Sequence, residues 1–225
     1  MKSAFPGFPK EGMDFLRGLK KNNQREWFQP RKDVFEQKVK APMVELIAAL
    51  QRDLKPAAPE MADGDAAKAV YRIYRDTRFS PDKTPYKTRI AALLPRAADK
   101  TGAAALYFSV SPEGIEVGGG MYMIPSPLLP RVRQHIAADP GRLRKILAAK
   151  ALHDGFGALH GDQLKRIPQG FPADHPAADL LRYKGYFVFA SLAGKLATGA
   201  DLHPELLRRF KAMLPLIRYL NEVFE

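Results

Sequence analysis

The sequence predicts an α+β fold: a mostly antiparallel central sheet with helices at the N- and C-terminal ends packed against it. Three observations point there. Apolar residues recur at three- and four-residue spacing over the first 54 residues and again from Pro204 onward, as in helices that bury one face. Between these regions lie short stretches rich in β-branched and aromatic residues, which suit a pleated surface. Two of those stretches are joined by Ser111-Pro112-Glu113-Gly114, a turn with Pro second and Gly fourth, so they pair antiparallel.

In chain order, Pro9 fits the first position of a helix whose stripe is Phe15, Leu16 and Leu19, with Asn22-Asn23 as its stop. A second helical stretch runs from about Pro30 to Leu54 on Phe35, Val39, Met43, Leu46, Ile47, Leu50 and Leu54, and Pro42 should kink or divide it. Lys55 to Ala67, with two prolines and a glycine, reads as a surface loop and as the one candidate linker. From Val70 the pattern turns extended, with strands at Val70 to Arg75, Ile90 to Leu94, Ala105 to Val110, Ile115 to Gly118 and Tyr186 to Ser191. Helices follow at Pro127 to Ala137 with Ser126 as cap, and at Pro140 to Ala149 with Asp139 as cap. The last helix, Pro204 to Phe224, carries Leu206, Leu207, Phe210, Met213, Leu214, Ile217, Leu220 and Phe224 on one side and is bent at Pro215.

At 225 residues, with 46% hydrophobic and 27% charged side chains, the chain is long enough for a substantial core and is expected to form a single domain over 1–225. It has no cysteine, which excludes disulfides, thiolate zinc sites and thiol enzymes. The opening MKSAFPGFPKEG lacks the apolar segment of a secretory signal, and no run approaches the roughly 20 apolar residues of a membrane helix. A cytoplasmic protein without a membrane partner is expected. A net charge of +12 and a pI near 9.9 favour an anionic small molecule or nucleic acid as partner. Oligomeric state is not legible in the sequence.

Much of that charge lies in KAVYRIYRDTRFSPDKTPYKTR, Lys68 to Arg89, where seven basic residues face two acidic ones and Tyr71, Tyr74, Phe79 and Tyr86 are interleaved. Ser80-Pro81-Asp82-Lys83 suits a type I turn, and Thr84 before Pro85 is pushed toward extended geometry, so the loop has few conformations. Arg75 and Arg78 are candidates to grip a phosphate or carboxylate through paired N–H donors, with Lys83 and Lys87 as point charges, Thr77 or Tyr86 as a hydroxyl donor, Tyr86 also as a stacking contact, and Asp76 orienting one arginine. The alternative is an internal cluster of Arg75, Arg78 and Asp76 that pins the loop to the sheet. Strand parity puts Val70, Arg72 and Tyr74 on one face and Tyr71, Ile73 and Arg75 on the other, so each face carries a cation that needs a partner, with Glu116 as one internal possibility.

Other features read more simply. Gly118-Gly119-Gly120 lacks both the P-loop ending and the GxGxxG spacing, so a bulge closing a strand fits better than a phosphate cradle. Trp27, the one tryptophan, fits an anchor between two helices better than a stacking platform. Lys165-Arg166 reads as a solvated pair. His135, His153, His160, His175 and His203 are scattered without a paired ligand spacing, so no metal site and no cofactor are expected. Ser109, Ser111 and Ser126 have no nucleophile-elbow context.

Phe15 to Phe28 (FLRGLKKNNQREWF), Tyr74 to Thr88 (YRDTRFSPDKTPYKT), Tyr107 to Tyr122 (YFSVSPEGIEVGGGMY) and Leu164 to Phe171 (LKRIPQGF) together resemble an uncharacterised family, domain of unknown function 2461. The resemblance implies one whole-chain domain and carries no catalytic role. Function therefore rests on the central segment, and three readings stay open. The first is an anionic-ligand-binding domain for phosphate, nucleotide or nucleic acid that uses Arg75, Asp76, Arg78, Lys83, Tyr86 and Lys87. The second is an enzyme acting on a phosphorylated or carboxylated small molecule, with Asp76 or Asp82 moving a proton. The third is a structural or protein-interaction module.

Overall fold

The computed structural model describes residues 5–94 and 102–225. The first four residues of the segment read for a secretory signal lie outside them. Among the described residues no helix is long and apolar enough to cross a membrane. The fold is α+β, with a four-stranded antiparallel sheet and helices at both ends of the chain. Contacts divide it into two compact units, one of residues 5–94, 107–117 and 191–208, the other of residues 102–106, 118–190 and 209–225.

The first unit begins with α1 (Lys10–Lys21), whose Phe15, Leu16 and Leu19 are buried as their spacing requires. Pro9 stands one position earlier than expected, as the N-cap. Asn22 ends the helix by donating its side-chain amide to the Gly18 carbonyl at 3.0 Å. After α2 (Arg25–Phe28) and a tight 3₁₀ turn at Gln29–Arg31, the chain continues through α3 (Lys32–Phe35), a widened π-type turn at Glu36–Lys40 and α4 (Ala41–Leu54). The widened turn has a local cause. Pro42 has no N–H for the Lys38 carbonyl and its ring crowds that oxygen, so the regular spiral cannot run through this point. The Lys38 carbonyl instead packs on α1 so closely that a Cβ on Gly12 would meet it at 2.1 Å. Trp27 is the anchor its position suggested: its ring lies 5.4 Å from that of Phe15, and a Cβ on Gly18 would meet it at 2.7 Å.

Lys55 to Ala67 is more ordered than a surface loop. It forms α5 (Pro59–Ala62) and leads into α6 (Ala66–Ala69), buries Ala58 and Met61, and lies wholly inside the first unit, so it is no boundary. Asp65 caps α6 by accepting from the Ala67 amide at 2.8 Å, one of the donors a helix start leaves unpaired.

Val70 to Arg75 is extended but is not the regular strand its composition predicts. It meets the returning chain at two isolated antiparallel bridges, Val70 with Ala92 and Tyr74 with Tyr86. Four steps on one side thus face six on the other. The two surplus residues bulge from the returning chain between Lys87 and β1 (Ile90–Leu94), and such a bulge interrupts a ladder. Side-chain alternation survives only over 71–75, where Ile73 is buried and Arg72 and Tyr74 are exposed. β2 (Ala105–Val110) and β3 (Gly114–Met121) form the expected hairpin, with the Ser111 amide donating to the Gly114 carbonyl at 3.0 Å.

The second unit holds α7 (Leu129–Ala138), α8 (Pro140–Ala148), α9 (Lys150–Phe156) and α10 (Ala178–Leu181). Asp139 caps α8 as expected, accepting from the Arg142 amide at 3.0 Å. Ser126 does not cap α7: the Pro125 carbonyl accepts from Leu128 and Leu129 in a turn that delays the helix by two residues. β4 (Tyr186–Ala193) and α11 (Leu202–Asn221), like β2 and β3, contribute residues to both units, and the strand order is β1-β2-β3-β4. The glycine run does not close β3. Cβ atoms on Gly118 and Gly120 would meet the Val188 and Tyr186 carbonyls at 2.6 and 2.2 Å, so these glycines let β4 approach. Burial pushes the Tyr186 hydroxyl up to about 12, and it donates to the Leu180 carbonyl at 3.1 Å.

Candidate functional site

The central basic segment lies within the first unit and borders a partly open recess of about 620 Å³, lined by Lys20, Asn23, Arg75, Asp76, Asp82, Thr84, Tyr86, Lys87, Thr88 and Arg89. Three neighbouring pieces of chain build it: the end of α1, the loop after Tyr74, and the bulge before β1.

The loop is held largely by its own side chains. Asp76 accepts from the Arg78 amide at 3.2 Å and takes the Arg78 guanidinium on both oxygens, at 3.0 and 2.7 Å. That contact starts the reversal early. The hydrogen-bonded turn is Thr77 to Ser80, with Ser80 donating to the Thr77 carbonyl at 3.4 Å, while Ser80 to Lys83, where a type I turn was expected, is only a bend. Asp82 accepts from the Thr84 amide at 2.9 Å and hydroxyl at 2.8 Å, and pairs with Arg75, which also donates to the Thr84 hydroxyl at 2.5 Å. Lys83 donates to the Thr77 carbonyl at 2.9 Å. Both carboxylates are held at about 2, well below their usual range: Asp76 by the hydrogen bonds from Arg78, Asp82 by those from Arg75 and then Thr84.

Tyr86 is the pivot between loop and bulge. Its ring is buried and stacked on Phe28 at 4.2 Å, and its backbone exchanges two hydrogen bonds with the Asn23 side chain, at 3.0 and 2.9 Å. Burial pushes its hydroxyl above the usual phenol range. The pairing with Asn23 ties the recess to the end of α1 and brings in Lys20, whose ammonium is 3.0 Å from Glu113.

The bulge is different. Lys87 donates to the Arg72 carbonyl at 3.1 Å and lies 5.4 Å from the centre of the Tyr71 ring, but it has no carboxylate partner among the described residues. Burial lowers its pKa, and the charges of Arg72 and Arg89 lower it further. Arg89 reaches Glu116 at 3.4 Å, and Glu116 also accepts from Ser109 at 3.0 Å. Glu116 is thus an internal partner, though for Arg89 and not for a cation of the 70–75 segment.

Of the six residues expected at the site, Arg75, Asp76, Tyr86 and Lys87 border the recess, and Arg78 and Lys83 do not. Those two pair within the loop, Arg78 with Asp76 and Lys83 with the Thr77 carbonyl. Lys20, Asn23, Thr88 and Arg89 were not anticipated. Arg89 carried a signal in its charge, but Lys20 and Asn23 arrive only through the Asn23–Tyr86 contact, 63 residues apart in sequence.

A family model described as "Conserved hypothetical protein (DUF2461)" matches residues 11–219. No curated protein and no solved structure matches the chain.

Proposed function

The chain belongs to the DUF2461 family, whose description names no activity, and we propose from the site itself that the recess binds an anionic ligand through a phosphate or carboxylate group. The observation that carries this reading is Lys87, an ammonium on the wall of the recess, crowded by Arg72 and Arg89 and without a carboxylate of its own among the described residues. Like charges brought together at partial burial are unfavourable, and an anion between them relieves that cost. Arg89 and the Thr88 hydroxyl stand beside Lys87 as further donors, while Arg75 is already committed to Asp82 and Thr84 and shapes the wall.

Proton transfer by Asp76 or Asp82 finds less support. A carboxyl held at about 2 carries no proton at neutral pH and is a weak base, far from the value near the working pH that acid–base catalysis needs. Binding, not catalysis, is the reading the geometry favours.

Thermal unfolding with added inorganic phosphate or pyrophosphate, at fixed ionic strength, tests it. The expected result is a rise in Tm for the wild type, lost in Lys87→Gln and retained in Lys83→Gln. Equal responses in all three proteins would remove Lys87 from the centre of the site, and no response in any would remove the site.

A further inference from the structure

Phe79 has no part in holding the fold. It is 92% exposed, although the turn that carries it is tied at Thr77–Ser80, Asp76–Arg78, Lys83–Thr77 and Asp82–Thr84. An aromatic ring displayed on a braced turn is pre-organised for contact, since little ordering entropy is left to lose on binding. The Arg78 guanidinium, gripped by both oxygens of Asp76, stands 5.6 Å from the centre of that ring. Asp76 borders the recess, so Phe79, three residues on, lies at most about 11 Å along the chain from its wall. Tyr74, 45% exposed, lies 5.4 Å from Tyr86, which also borders the recess. Two accessible aromatic rings thus lie close in the chain to residues of a recess lined by four cations and two aspartates.

We propose that this surface is a binding track for single-stranded nucleic acid, a base stacking on Phe79 while a neighbouring backbone phosphate enters the recess at Lys87. The proposal rests on the anion-binding reading and extends it to a polymer of alternating aromatic faces and phosphates, the pattern that the alternation of ring and cation matches. The chain's net charge of +12 supplies the long-range attraction. A single strand fits better than a duplex, because bases already stacked on each other have no face to offer Phe79. A bilayer fits less well, because the tip offers one large apolar ring between two carboxylates, Asp76 and Asp82.

Fluorescence anisotropy with a short labelled oligothymidylate and oligouridylate, and with a duplex of equal length, gives the test. Phe79→Ala, at an exposed site where folding is not at stake, should weaken single-strand binding roughly ten- to a hundred-fold. Lys87→Gln should weaken it too and reduce the slope of log affinity against log salt by about 0.7. Preference for the duplex, or wild-type affinity in Phe79→Ala, overturns the proposal. So does Phe79-dependent capture by phosphatidylserine vesicles without oligonucleotide binding. If phosphate still raises Tm while no oligonucleotide binds, the polymer is excluded and the recess reading stands; if neither acts, both fall.

Discussion

From Arg75 to Thr84 each cation meets a partner within the same loop: Arg75 on Asp82 and Thr84, Arg78 on Asp76, Lys83 on the Thr77 carbonyl. From Lys87 to Arg89, a few residues later, the partners come from outside the segment. Lys87 has a carbonyl and a ring but no carboxylate among the described residues, and Arg89 must reach across to Glu116. The two regions differ in composition, the loop carrying three cations and two aspartates over ten residues and the bulge two cations and no acid over three, and so in the distance to the nearest acid. In the loop, aspartates two and seven residues away fold back on the arginines. The bulge has no acid of its own, and partial burial of Lys87 takes away some of the water that would solvate its charge. Net charge is higher in the bulge, +2 over 87–89 against +1 over 75–84, and the fold leaves Lys87 there without a carboxylate among the described residues.

The largest effect should come from the residue that joins the two regions. Tyr86→Ala removes a buried ring stacked on Phe28, and urea unfolding should record a loss of about 3–5 kcal/mol, in the range for large-to-small changes at buried aromatics. A loss below 1 kcal/mol would mean that loop and bulge are held independently, and the comparison would need another pivot.

Acid should separate the regions next. Asp76 and Asp82 have folded values near 2, below the unfolded carboxylate range, so their contribution is complete above about pH 4 and is lost as pH falls through 2. The Arg78 and Thr84 amides, which donate to these carboxylates, should stay protected from hydrogen exchange at pH 3 and lose protection toward pH 2. Loss of protection already at pH 4 would show that the aspartates do not hold the loop.

The bulge should respond at the alkaline end instead. Lys87 has its pKa lowered in the folded state, so the unfolded chain binds its proton more tightly, and stability should rise with pH between the folded value and the usual lysine value. Lys87→Met should flatten that rise without lowering stability at neutral pH. An unchanged alkaline profile would place the strain elsewhere. In the wild type, phosphate affinity should decline through the same interval as the ammonium loses its proton.

The smallest effect is expected at Arg78. Its side chain is 76% exposed, and exposed ion pairs contribute little, so Arg78→Ala should shift Tm by less than about 2 °C. Its consequence should be local, with increased proteolysis at the Phe79 turn.

Much of the fold was legible because its causes are short-range. The Phe15-Leu16-Leu19 stripe, the Asp139 cap and the Ser111–Gly114 turn each depend on residues within a few positions, so pattern and structure agree. Pro42 interrupts the helix as its missing N–H requires, though the form of the interruption, a widened turn with the Lys38 carbonyl against Gly12, depends on the facing helix. Val70 to Arg75 shows the opposite case. Its β-branched and aromatic residues favour extension and the chain is extended, but a ladder also needs a partner in matching register, and the returning chain holds two residues too many.

For the site, the sequence determined where cations and rings are concentrated and that two prolines restrict the loop between them, because both follow from residue type and covalent geometry. Only the tertiary structure decided which charges are spent. It turned Arg78 and Lys83 to bracing the loop, brought Lys20 and Asn23 to the recess from the end of α1, and left Lys87 beside two other cations. The physical reason is that a charge is neutralised by whatever lies within a few ångströms of it, and that neighbourhood is set by folding across more than sixty residues of chain.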